Sequence, residues 1–413
     1  MNLNKNTVIL FLIFLFPVFI ATVEHGGSTL FALLLITGLV LGWPMWRSLE
    51  NWEKKILIGF LIFFVLISFS LINTQYISSG IKKEGRYIMF PLIIPIYLLL
   101  KKYKLETGKI FLLGLMVAPI VMLSQSLYQG FILNFPRARG AYSAIILGDV
   151  AMLVALIVAC ALLTMAKKWQ HFLIGLLVIG MALSVSIMSG SIGGWILIPI
   201  TFIWFTWIER SKLGVKSILS IVFVGVFLVL SAYSIDKVKN RVLSTISEYK
   251  AQINGSSNMS SMSQRFEMWR ISIFIWKTQP LLGTGIGDFS IEISQKIIDG
   301  KSFLTKDYSH AHNIYFDAIA TSGLVGLLGL LIFVQIIPYK IFYSFWKKEH
   351  DPWLNFYALS GMATIIAFAV FGLTEGWLAR KPFVLTYIMC ILVFMSSISV
   401  VKSKEKEVIS HKS

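Results

Sequence analysis

The run Ser309-His310-Ala311-His312-Asn313, with glycines following at Gly323 and Gly326, is the strongest local signal for chemistry in this chain. A neutral imidazole can take a proton from a hydroxyl near neutral pH, which an unperturbed lysine cannot do. His312 falls where a long polar segment meets an apolar span, a place both partly dry and reachable from water. Asn313 could orient it or bind a sugar hydroxyl, and His310 is either an accessory hydrogen-bonding group or simply exposed. Gly323 and Gly326 are expected to form a small-residue face that lets another helix approach. Spacing alone leaves open a plainer reading, two surface histidines at an interface.

Three further groups could bind anions. In Ser263-Gln264-Arg265-Phe266-Glu267-Met268-Trp269-Arg270, the Arg265 guanidinium offers a planar fork suited to phosphate or carboxylate. Arg86, Arg137, Arg139 and Arg380 lie at the same side of the apolar spans as His312, together with two acids, Asp149 and Glu375. Acids inside apolar spans are expensive and tend to be paired or functional. A Glu375–Arg380 pair is the structural reading, and a charged pocket opening outward is the functional one. Gly283-Thr284-Gly285-Ile286-Gly287 lacks the preceding strand and the Lys-Ser/Thr of a nucleotide loop, so it is read as a tight turn with glycine at positive φ.

These residues must be positioned by membrane helices. Apolar residues make up 56% of the 413, charged ones only 14%, against roughly 25% in soluble proteins. That excludes a soluble enzyme, a disordered chain and a coiled coil. The expected fold is all-α and polytopic, with about twelve spans. They fall near 7–23, 28–46, 55–73, 87–100, 109–130, 144–166, 171–189, 194–209, 217–235, 322–345, 354–375 and 382–401. The first is read as a span rather than a cleaved signal. Residues 1–235 thus form a first membrane unit, 236–313 a large loop expected to fold as a small helical domain, and 314–413 a second membrane unit with a basic tail. Within the loop, 263–278 reads as a helix presenting Phe266, Trp269, Ile273 and Trp276, ended by Gln279-Pro280.

The net charge is +17. With both termini cytoplasmic, twenty lysines and arginines fall in cytoplasmic segments and seven in short outer loops: Lys82, Lys83, Arg86, Arg137, Arg139, Arg380 and Lys381. This orients the long loop outward, and the surplus is read as topology, with membrane lipids as partners and no nucleic acid. The two cysteines, Cys160 and Cys390, lie inside apolar spans and form no metal or redox motif. No internal repeat is evident, which weakens a transporter reading.

His312-Asn313-x9-Gly323-xx-Gly326 resembles the motif of the O-antigen ligase/polymerase superfamily. So does its approach, Gln264-Arg265 with Trp269 and then Pro280-Leu281-Leu282-Gly283-x-Gly285. Arg86-Tyr87 with Pro91, and Arg137-x-Arg139-Gly140, are weaker likenesses. The resemblance implies a GT-C-like glycosyltransferase of the bacterial inner membrane, with its site facing the periplasm and no nucleotide, metal or other cofactor. Its donor would be a glycan on undecaprenyl diphosphate and its acceptor lipid A–core. It implies that His312 is the base and Arg265 the principal donor-diphosphate ligand, joined by Arg137, Arg139 and Arg86, with Asn313, His310 and Glu375 binding acceptor or supporting. Members often carry an arginine in a Ser-Arg-Gly-Gly-Trp-like stretch. Here Ser191-Ile192-Gly193-Gly194-Trp195 places Ile192 there, so another arginine must cover the diphosphate. Ligase, polymerase and protein-glycosylating activities remain open. The short basic tail after Val401 favours ligase over the protein-glycosylating type.

Overall fold

The computed structural model describes residues 4–42, 45–209, 261–346 and 351–410, with a few isolated positions between 239 and 250. The expected ninth span, 217–235, and the linker at 254–258 lie outside the described residues.

Every regular element described is helical. In chain order they are α1 Lys5–Thr22, α2 Gly26–Leu41, α3 Asn51–Ser68, α4 Ile77–Tyr87, α5 Met89–Lys102, α6 Thr107–Leu127, α7 Ala144–Met165 and α8 Trp169–Ser189. Then follow α9 Ile192–Trp195, α10 Leu197–Glu209, α11 Ser261–Thr278, α12 Phe289–Ile298, α13 Ile314–Gly329, α14 Ile337–Phe345, α15 Pro352–Phe371 and α16 Lys381–Ser410. Among the described residues nine helical stretches are long and apolar enough to cross a membrane. α2, at 16 residues, and α5, at 14, fall short: at 1.5 Å per residue they span about 24 and 21 Å, against a hydrocarbon core of about 30 Å. The tenth expected span begins at Ile314, eight residues before the expected 322, because the helix starts directly at its Asn313 cap.

Local sequence explains the starts. The Glu50 and Glu53 side chains form a reciprocal capping box on α3. Ser143 caps α7, accepting from Ile146 N at 3.3 Å. Asp351 caps α15 ahead of Pro352, which needs no intrahelical donor bond.

α15 and α16 form the centre of the bundle, most of their residues buried, with α7 packed against α15 and α5 against α16. Aromatic rings interlock there: Phe368 meets Trp377 edge-on at 5.1 Å and Tyr387 at 5.2 Å. One end of the bundle is tied by charge. Glu53 is fully buried, accepts from Tyr97 and is paired with Lys101. Nearby, Lys404 and Lys406 on α16 reach Glu106 and Glu50.

The other end carries the loops around the histidines. α11 and α12 build a second apolar cluster there from Met268, Ile271, Ile275, Phe289 and Ile293, closed by Leu304, Ala311 and Ala320. The expected helix over 263–278 is present as α11. Met268, Ile271 and Ile275 point inward, while Phe266 and Ile273 are exposed, because the loop holding Ala311 packs against the former stripe.

Candidate functional site

α13 does not run unbroken. Gly323 interrupts it at φ 61°, ψ −159°, a combination open essentially only to glycine. The turn after α11 docks into this break. Leu324 N donates to Pro280 O at 2.9 Å, Val325 N to Leu281 O at 3.2 Å, Thr284 N to Ala320 O at 2.9 Å and Gly285 N to Thr321 O at 3.0 Å. A Cβ on Gly323 would lie 2.3 Å from the Leu281 carbonyl, and one on Gly283 would lie 2.4 Å from Ala320 O. What approaches Gly323 is therefore the backbone of the 280–285 turn, not the second helix expected from sequence. The turn itself has glycine at positive φ at Gly283 and Gly285, as read from the sequence.

The 308–313 loop is pinned between these elements. Trp269 Nε1 donates to Ala311 O at 3.0 Å, and Ala311 N donates to Asp317 Oδ1 at 3.1 Å. Asn313 caps α13, accepting from Tyr315 N and Phe316 N, and its amide donates to Leu373 O at 3.1 Å. Both halves of that side chain are held by backbone, which favours support over sugar contact. His312 has φ 49°, a left-handed conformation uncommon outside glycine and held here by its neighbours.

The two histidines converge on one carboxylate from the α15–α16 turn. His310 Nε2 lies 2.7 Å from Glu375 Oε1, and His312 Nδ1 lies 3.1 Å from Oε2. Arg380 Nε approaches Oε1 at 3.4 Å, realising the pair read from sequence. Ser309 Oγ meets His310 Nδ1 at 2.9 Å. His310 and Glu375 are buried, whereas the His312 side chain keeps 19% of its surface exposed. Gly376 permits the approach, since a Cβ there would lie 2.8 Å from the His310 ring. Burial alone would raise the Glu375 carboxyl, but hydrogen bonds from His310 and His312 outweigh it and hold it well below the usual carboxylate range. Burial lowers the His312 imidazole below its ordinary value; Glu375 opposes this, and the charges of His310 and Arg265 add to it. The arrangement is an ionised carboxylate orienting a neutral imidazole.

The arginines divide. Arg265, on α11, is close enough for its charge to act on both His312 and Asp149. Arg137 donates from Nε to Ser189 O at 2.7 Å and from Nη2 to Gly190 O at 3.2 Å. It thus sits at the turn that leads into α9 and Ile192. Asp149, fully buried, accepts from Ser191 Oγ in the same turn at 2.7 Å. Gly193 packs there against Thr374, the neighbour of Glu375. Arg86 lies beside Lys83 on α4. Arg139 is exposed, its guanidinium 4.3 Å over the Phe135 ring, and none of its described contacts joins it to the histidine cluster.

Sequence reading named Lys83 only among the outer basic residues and Ser191 only within the stretch around Ile192, and gave no place to Asp317; here Lys83 Nζ donates to Ser309 O at 3.0 Å. Lys83 had a signal, its place beside Arg86 in a short basic stretch. Asp317 and Ser191 had none, since their roles exist only through tertiary packing. By distance, His310, His312 and Glu375 could also hold a metal ion, their ligand atoms lying within 4.8 Å of one another. The guanidinium on Glu375 and the nearby Arg265 oppose a divalent cation there. A separate cavity of about 640 Å³ lies at the opposite end, lined by Glu106, Lys109, Trp353 and Lys404, away from the histidines.

Fold and site together define a multi-pass membrane protein, helical throughout its described regular elements, with a histidine–carboxylate–histidine cluster beside arginines at one end of the bundle. Residues 181–331 match the family model described as O-antigen ligase. Over these residues the chain is similar to the O-antigen ligase/polymerase superfamily, whose members are glycosyltransferase-like enzymes acting on lipid-linked glycans. It covers Arg265, His310, His312, Asn313 and both motif glycines; Arg86, Arg137, Arg139 and Glu375 lie outside it. The chain is also 25% identical over 396 residues to an uncharacterized protein of Haemophilus influenzae, covering 93% of this chain and 96% of the relative.

Proposed function

We propose that this protein is an O-antigen ligase, moving a glycan from undecaprenyl diphosphate to a sugar hydroxyl of lipid A–core on the periplasmic side of the inner membrane. The observation that carries the reading is the Glu375 carboxylate held between His310 and His312. With its Nδ1–H given to Glu375, His312 keeps the Nε2 lone pair as a base. The acceptor oxygen attacks the anomeric carbon, His312 takes the hydroxyl proton, and the bond to the diphosphate breaks with its electron pair. Undecaprenyl diphosphate leaves, and the step balances without a further reactant. Charge grows on the diphosphate in the transition state, where fixed guanidinium groups help most. Arg265 is the principal ligand in this reading. Arg137 stands at the turn holding Ile192 and supplies the guanidinium that position lacks, with Arg86 and Arg139 at the rim.

The test is reconstitution of the purified protein with a polyprenyl-diphosphate glycan and lipid A–core, without nucleotide. Glycosylated lipid A–core supports the reading. Longer lipid-linked chains with no transfer would make the protein a polymerase instead. Movement of the donor across the membrane without any new glycosidic bond would make it a transporter.

A further inference from the structure

α4 is amphipathic in an unusual sense. Its packed side carries polar groups: Lys83 reaches Ser309 O, Ser79 Oγ donates to Gly287 O at 3.1 Å, and Glu84 accepts from Ser68. Its outward side carries Ile77, Ser78, Ile81, Lys82, Gly85 and Ile88, with Ile77 63% and Ile81 60% exposed. At 100° per residue the three isoleucines fall in one narrow stripe. In water such a face would be costly.

Two observations identify what covers it. Exposed apolar side chains also run along the neighbouring α3 and past its end, at Leu61, Val65, Phe69 and Ile72, the last 74% exposed. The charged group on the outward face is a cation, Lys82, and the acid of the helix, Glu84, turns inward to Ser68. An apolar stripe flanked by an outward lysine suits the headgroup boundary of a bilayer, whose phosphates are anionic. The charges of α4 exclude it from the hydrocarbon centre.

We propose that α4 is an interfacial helix whose isoleucine face seats in the phospholipid headgroup region, and which fixes the Ser309–His310 loop at the membrane surface through Lys83. The bilayer contact stands apart from the proposed reaction; only the kinetic arm of the test rests on it. α5, too short to span alone, thereby gains an anchor at its N-terminal end.

The experiment places single cysteines at Ile77, Ile81 and Ser78 for spin labelling in phospholipid vesicles. Both native cysteines are buried, so label attaches to the introduced one. Labels at 77 and 81 should collide more with dissolved oxygen than with an aqueous nickel reagent, and a label at 78, on the lysine side, should show the smaller preference. Nickel accessibility at 77 and 81 equal to that of a label in an aqueous loop would overturn the proposal. In the kinetic arm, Ile77→Glu/Ile81→Glu should raise KM for a long-chain polyprenyl donor about tenfold, roughly 1.4 kcal/mol. KM for a water-soluble short-chain donor should stay unchanged. An equal rise for both donors would overturn the membrane role even if the labels report lipid.

Discussion

His312 meets Glu375 through Nδ1 at 3.1 Å, so the nitrogen across the ring, Nε2, is the one left to act. His310 uses its own Nε2 on the same carboxylate. Two residues apart, the imidazoles are presented in opposite senses, and that geometry assigns them different duties.

His312→Ala should abolish glycan transfer, a loss of about 10²–10⁴-fold or more, with the protein still inserted and monodisperse. His310→Gln should weaken transfer less, because it removes a partner of Glu375 rather than the base. Comparing initial rates of the two variants at equal membrane expression checks this; an inactive His310→Gln beside an active His312→Ala would reverse the assignment.

The acid limb of the pH–rate profile should move in opposite directions in two variants. In the proposed mechanism transfer requires neutral His312, so the rate should fall as pH drops through its pKa, which lies below the ordinary imidazole value. Glu375 raises that pKa, so Glu375→Gln should push the limb to still lower pH while lowering the plateau. Arg265 lowers it, so Arg265→Gln should move the limb upward. Profiles of kcat/KM for both variants, read side by side, test the signs.

Gly323→Ala should cost about 1–3 kcal/mol or more, since the backbone conformation is glycine-only and the new Cβ meets the Leu281 carbonyl. Gly300→Ala is the matched control. It too has positive φ, but nothing lies within 4 Å of the added carbon, so its cost should stay near 1–2 kcal/mol. Thermal unfolding in detergent separates the two.

Glu53→Ala should destabilise by about 3–5 kcal/mol, because it strands the largely buried Lys101 ammonium and the Tyr97 hydroxyl. Replacing Glu53 and Lys101 together by leucine and methionine should recover most of that loss. A double variant as unstable as the single one would show that the pair itself, rather than the orphaned charge, matters.

Much of this was legible in residue order, and the illegible parts share a cause. Apolar runs announce membrane helices because lipid forces every backbone group to bond internally. The His312-Asn313-x9-Gly323 spacing marked the site loop because glycine and histidine have few substitutes for those jobs. The meaning of Gly323 was lost because small residues serve close helix contact and backbone breaks alike, and only the partner, here the 280–285 turn, tells them apart. Ser191 joins Asp149 across 42 positions of sequence, a contact no local pattern encodes.

α16 begins one residue after the arginine that touches Glu375 and runs for 30 residues, about 45 Å of unbroken rod. At its far end Lys404 and Lys406 are moored to Glu106 and Glu50, and in between almost every side chain is enclosed by its neighbours. Such a rod cannot tilt without disturbing the whole bundle. It works as an axle: any opening beside it must swing at the periphery, while the carboxylate between the histidines keeps its station.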